Sequence, residues 1–88
     1  MKILVLKNEI FDLSQYGNFF VKMDYKGQYV LYANSSNKHD IIFESNEYVE
    51  CLDVLDRIKQ FLIDDNLKCQ YIRDWLEQYN NISPGNVI

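Results

Sequence analysis

His39-Asp40-Ile41-Ile42-Phe43-Glu44-Ser45-Asn46-Glu47-Tyr48-Val49-Glu50-Cys51-Leu52-Asp53-Val54-Leu55 is the stretch in which the chain changes its period. Up to residue 44 the apolar residues come in short runs and alternations that suit strands. From residue 45 onward Tyr48, Cys51, Leu52, Leu55, Ile58 and Leu62 recur at helical spacing, with Glu50, Asp53, Arg57, Gln60 and Asp64 opposite them. Ser45 or Asn46 is placed to cap this helix, and Glu47 and Glu50 lie at the positive end of its dipole. Asp53 and Arg57 are spaced to pair across one turn. Asp64-Asp65-Asn66 interrupts the stripe and starts a second predicted helix, whose apolar positions are Cys69, Ile72, Trp75, Leu76 and Tyr79.

Upstream, Ile3 to Leu6 and Glu9 to Leu13 read as two short strands around a Lys7-Asn8 turn, and Ser14 to Asn18 breaks the pattern. A hairpin follows, with Phe19 to Tyr25 and Gln28 to Ala33 joined by Lys26-Gly27. That turn sets Val21, Met23, Val30 and Tyr32 on a core face, and Phe20, Lys22, Asp24, Tyr29 and Leu31 on the other. His39 to Glu44 returns as the last strand after the polar loop Asn34 to Lys38. The predicted fold class is α+β: an antiparallel β-meander of about five strands followed by two α-helices packed on the sheet. Residues 1–80 form a single domain and 81–88 a flexible tail.

Composition narrows the class. With 88 residues, 48% hydrophobic, 25% charged, three Gly and one Pro, the chain has the makeup of one ordinary globular domain and excludes collagenous or disordered readings. The opening Met1-Lys2-Ile3-Leu4-Val5-Leu6-Lys7 is too short in apolar residues for a secretion signal, and no run approaches the length of a membrane span. A cytoplasmic location is therefore expected, with Cys51 and Cys69 as thiols, each buried on the apolar stripe of its helix.

The segment Ile41-Ile42-Phe43-Glu44-Ser45-Asn46-Glu47, followed by Cys51, Val54, Leu55 and Ile58, resembles a group of small uncharacterised proteins of low-GC Gram-positive bacteria and their phages. Asn8-Glu9-Ile10-Phe11-Asp12-Leu13 is similar to the second strand of that group. The likeness spans residues 1–62 and departs at Ser45, where the group has an aromatic, and at Cys51, where it has alanine. It implies a short β-meander followed by an acidic amphipathic helix, and a phage or mobile-element setting. It carries over no catalytic residue.

No reaction finds its groups here. His39 is the single histidine, and neither C-x-x-C nor H-x-x-x-H spacing occurs, so no metal site is expected. Ser35 and Ser36 lack the turn that presents a nucleophile, and Gly17, Gly27 and Gly85 are too scattered to cradle a phosphate, which leaves no cofactor and no enzyme. The informative feature is charge. Residues 1–43 hold four acids against five bases, a net of +1, whereas residues 44–79 hold nine acids against four bases, a net of −5. The whole chain, at −4, has the wrong sign for holding nucleic acid directly.

These features point to a non-enzymatic, acidic protein-binding module. Its expected partner is a protein with a basic groove, and its expected contact residues are Glu47, Glu50, Asp53, Asp56, Asp64 and Asp65. The specific expectation is an inhibitor of a host defence or nucleic-acid-handling protein, of anti-CRISPR or anti-restriction type, mimicking nucleic-acid charge. The alternatives are a small accessory subunit and a structural homo-oligomer, the latter a homodimer closed through the second sheet face around Phe20, Tyr29 and Leu31.

Overall fold

Leu4 and Phe11 face each other across the first hairpin of the computed structural model, which describes residues 1–76. Strand β1 (Ile3–Val5) runs antiparallel to β2 (Ile10–Asp12). Lys7-Asn8 makes the turn as the sequence suggests, closed by the Leu6 N–H donating to the Glu9 carbonyl at 2.8 Å. Both inward residues are buried. Asp12 then turns the chain: its Oδ1 accepts from the Ser14 N–H at 3.1 Å and the Ser14 hydroxyl at 2.6 Å, capping a 3-10 turn over Leu13–Gln15. The Ser14 hydroxyl is also the main reason the Asp12 carboxyl titrates below its ordinary range.

The second sheet is β3 (Asn18–Met23), β4 (Tyr29–Asn34) and β5 (His39–Ser45), antiparallel throughout and in that order. Its first turn is one residue longer than Lys26-Gly27 implies. Asp24 is the hinge: its N–H donates to the Gln28 carbonyl, and its Oδ1 accepts from the N–H groups of Lys26 and Gln28 at 2.8 and 2.9 Å. Gly27 takes φ +86°, as a three-residue loop closing on a left-handed residue requires. The pairing therefore becomes Val21 with Leu31 and Phe20 with Tyr32, a shift of one residue that exchanges Leu31 and Tyr32 between the faces, while Val30, predicted for the core, is buried. Leu31 and Ala33 are buried in the core with Val21 and Phe19 against them, while Tyr32 moves to the outer face. Tyr29 likewise leaves the predicted outer set, and its ring lies 5.0 Å from that of Tyr48.

Three consecutive apolar residues, Ile41 to Phe43, break strict alternation, and a bulge resolves them. Tyr32 opposes Ile41 and Leu31 opposes Phe43, with Ile42 the extra residue, buried in the core. Helix α1 (Tyr48–Ile63) then crosses the sheet, touching all three of its strands. Its cap is Glu47, one or two residues after the predicted Ser45 or Asn46, and the Ser45 hydroxyl accepts the Glu47 N–H at 3.0 Å. The buried stripe is Cys51, Val54, Ile58 and Phe61, rotated from the predicted one so that Tyr48 and Leu52 face outward. Cys51 and Ile58 are common to both stripes, and Val54 and Phe61 take the places expected of Leu55 and Leu62, which are only partly buried.

The predicted second helix loses its first turn to β6 (Cys69–Tyr71), which lies parallel to β1 with Leu4 opposite Gln70. The first sheet is thus β2-β1-β6, and its parallel pair joins segments more than sixty residues apart in sequence. Helical structure begins at residue 72, where Ile72 and Trp75 enter the core. Cys69 is consequently exposed, whereas Cys51 is buried as expected. The fold is α+β, with six strands in two sheets among the described residues, one more strand than the sequence suggests. The predicted tail 81–88, residues 77–80 and the predicted core residue Tyr79 lie outside the described residues.

Lys2 joins the layers. Its ammonium donates to the carbonyls of Asp64 and Leu67, the latter at 2.6 Å, and stands 5.1 Å from the centre of the Phe61 ring. The last turn of α1 has no basic residue of its own, so Lys2 supplies the positive charge that a helix C-terminus favours. Lys2→Met, which keeps an apolar stem and removes the donors, is expected to destabilise the domain by about 1–3 kcal/mol in urea denaturation, with an unchanged m-value.

Tyr16 closes the other end of the core. Its hydroxyl donates to Asp40 Oδ2 at 2.5 Å, and its ring meets Phe11 and Phe19 edge-on or tilted. Burial first, then the bond to Asp40, push its phenol up to about 12. Because the folded value lies above the ordinary 10.0, this contribution to stability is complete below about pH 10 and is lost as pH rises towards 12. In an ultraviolet titration Tyr16 should be the last tyrosine to ionise, and Tyr16→Phe should remove that late step.

Candidate functional site

The six acidic residues singled out from sequence lie along α1 and at its two ends and do different things. Glu47 caps α1 and is exposed; Glu50 sits in the first turn, half-buried. Asp53 pairs with Arg57 at 3.8 Å, as their spacing predicts. Asp56 points to solvent. Asp64 is spent on local structure: its Oδ1 accepts the Asn66 N–H at 2.9 Å while its carbonyl is held by Lys2. Asp65 is exposed in the turn that follows. At about 1.5 Å of rise per residue, α1 is about 24 Å long, so Glu47 and Asp65 stand at opposite ends of it. The carboxylates make an extended negative field, and no three of the described His, Cys, Asp and Glu residues converge closely enough to hold a metal ion.

Two of the six do meet at a cleft. Asp53 and Asp56 line a depression of about 460 Å³ between α1 and the β6 layer, together with Arg57, Gln60, Phe61, Leu67, Gln70 and Trp75. Its floor is aromatic, with Phe61 and Trp75 at 6.4 Å in an edge-to-face arrangement. The Trp75 indole N–H donates to Gln70 Oε1 at 3.2 Å, which fixes the ring. The rim carries two carboxylates against one guanidinium, Arg57, which is paired with Asp53, and the floor offers only the edges of the buried Phe61 and Trp75 rings, so the cleft retains a net negative rim for the head of a cationic side chain. Trp75 and Gln70 had no predicted part in a site. Trp75, an apolar position of the predicted second helix, packs against Phe61 of α1 in the core.

The outer sheet face carries a different feature. Phe20, Tyr32 and His39, one from each strand, stack in a row with centroids 5.3 and 5.4 Å apart, and His39 Nδ1 is 2.6 Å from Asn34 Oδ1. Of the predicted members of this face Phe20, Lys22 and Asp24 remain, whereas Leu31 is in the core and Tyr29 meets the helix. A further apolar depression of about 530 Å³ lies beside β1, walled by Val5, Leu6, Tyr71 and Ile72, and reaches Leu76, the last described residue. No helix among the described residues is long and apolar enough to cross a membrane. No protein-family model, curated protein or solved structure matches the chain.

The thiols differ sharply in environment. The Cys51 Sγ lies 3.5 Å from the Tyr29 carbonyl, and burial, helped by the Glu50 charge, pushes its thiol up from the ordinary value. Cys69 is on the surface strand. A thiol reagent at neutral pH is expected to modify Cys69 promptly and Cys51 only at the rate of unfolding, which mass spectrometry of the Cys69→Ser protein reads directly.

Proposed function

We propose that the chain is a non-enzymatic binding module that takes a basic segment of a protein partner into the cleft between α1 and β6. The observation that carries the reading is the combination of the Asp53 and Asp56 carboxylates with the Phe61 and Trp75 floor. Charge without a pocket gives only weak, non-selective attraction; an aromatic floor adds an anchor of the kind that dominates protein interfaces. The net −5 of residues 44–79 steers a cationic surface towards this side. In its specific form the proposal is an inhibitor, from a phage or mobile element, that occupies the basic groove of a host defence or nucleic-acid-handling protein in place of nucleic acid. The likeness of residues 1–62 to small phage-associated proteins and the sign of the charge support that form. A second reading, a homodimer through the outer sheet face, is favoured by the row of half-buried Phe20 and Tyr32 with exposed His39.

Trp75 is the only tryptophan, so the cleft contains its own reporter. Titration with an arginine-rich peptide should change tryptophan fluorescence with a midpoint that rises steeply with salt, since screening shortens from about 8 Å at physiological ionic strength to about 3 Å at 1 M. Asp53→Lys should weaken the response about tenfold or more while leaving the far-ultraviolet circular dichroism unchanged. Equal responses from the intact and Asp53→Lys proteins would remove the cleft as the binding site.

A further inference from the structure

The face of α1 turned away from the core is not polar. Val49, Leu52 and Ile63 are 64%, 39% and 74% exposed, and with Asp56 and Lys59 between them they form a stripe at positions 49, 52, 56, 59 and 63. Steps of three and four in alternation are the spacing of a two-helix seam. No partner within the described chain covers this stripe, and neither Asp56 nor Lys59 forms an ion pair among the described residues.

The order of residues on the stripe selects what fits it. A second copy laid parallel would set Asp56 against Asp56 and Lys59 against Lys59. Laid antiparallel about a two-fold axis, in the register where residue numbers in facing layers sum to 115, the stripe becomes complementary to itself. Asp56 then faces Lys59 of the second copy, Lys59 faces its Asp56, and on either side of these two ion pairs Leu52 meets Ile63 of the other helix. The flanks agree: Leu55 comes beside Leu62 of the second copy, and Asp53 beside its Gln60, with no like charges brought together. We propose that this face of α1 is an isologous interface between two copies of the chain, packed as an antiparallel helix pair with Asp56 and Lys59 crossed at its centre. A helix about 24 Å long makes a contact at the small end of specific interfaces, so the dimer forms reversibly with concentration. Asp56 and the flanking Asp53 and Gln60 also line the cleft, so pairing and cleft binding share an edge, whereas Lys59 does not line it and Lys59→Asp reads the pairing alone.

Sedimentation velocity of the full 88-residue chain, from micromolar to millimolar, tests it. The mean mass should rise from 10.5 kDa towards twice that value. Asp56→Lys alone and Lys59→Asp alone should each weaken self-association about tenfold or more, since each sets like charges together at both central layers. The double exchange D56K/K59D should restore it, and so should an equimolar mixture of the two single variants, in which each copy supplies what the other lacks. Circular dichroism identifies any variant that fails to fold, and the double exchange and the mixture remain as independent readouts. A chain that stays monomeric at millimolar concentration overturns the proposal. So does a dimer that both single reversals leave unchanged, as a contact through the outer sheet face would be.

Discussion

The placing of residues 64–71 rests on where the Lys2 ammonium goes. It stands beyond the C-terminal end of α1 and takes two carbonyls there, while the Lys2 backbone N–H donates to Asp12 Oδ1 at 3.2 Å. One residue thereby ties the start of β1 to the end of β2 and to the turn after α1. That turn delivers Lys68 to the Ile3 N–H at 2.9 Å, which starts the parallel pairing of β6 with β1. Without that pairing Gln70 and Trp75 have no fixed place, and the cleft loses its floor. The Lys2 ammonium stands over the Phe61 ring and adds a second donor to the Asp64 carbonyl, which also accepts the Leu67 N–H at 3.2 Å.

Local pattern carried the reading of this chain as far as local forces decide the structure. The change of period at residue 45, the Lys7-Asn8 turn and the Asp53–Arg57 pair are all short-range, and each is where the sequence places it. The hairpin register was decided by a side chain rather than by a turn dipeptide: Asp24 holds two backbone N–H groups, and the loop grows by one residue to let it do so. That single residue exchanged Leu31 and Tyr32 between core and surface. The strand β6 has only three residues, too few for any periodicity to be visible, and its pairing exists because β1 would otherwise present an open edge. Asp53 and Asp56 were legible as site residues from charge alone, whereas Phe61, Gln70 and Trp75 join them only through this long-range crossover.

The acidic residues show why counting charge and locating a site are different tasks. Asp64 contributes to the net charge of the helical half but is committed to the turn at Asn66, so its loss would be felt first in the fold. Glu47 and Glu50 oppose the positive end of the helix dipole and serve α1 itself. Asp53, paired with Arg57, and Asp56 are the two that border a pocket. A field spread along about 24 Å attracts a cationic surface from a distance; the pocket is what discriminates one cationic surface from another.

α1 consequently has three unlike sides, and its composition reflects the demands of each. The stripe Cys51, Val54, Ile58 and Phe61 must be free of charge because it lies under the sheets. The cleft flank can hold Asp53 and Arg57 because both reach water. The outward side exposes Val49, Leu52 and Ile63, and what marks it is the order in which Asp56 and Lys59 lie between them rather than the exposure of any one of the three. Asp56 and Lys59 divide those residues into separate patches, too small to attract arbitrary apolar surfaces, and they do so in an order that only an antiparallel copy of the same helix complements. The charges lower the affinity such a stripe could reach with leucines throughout, and in exchange they define direction and register.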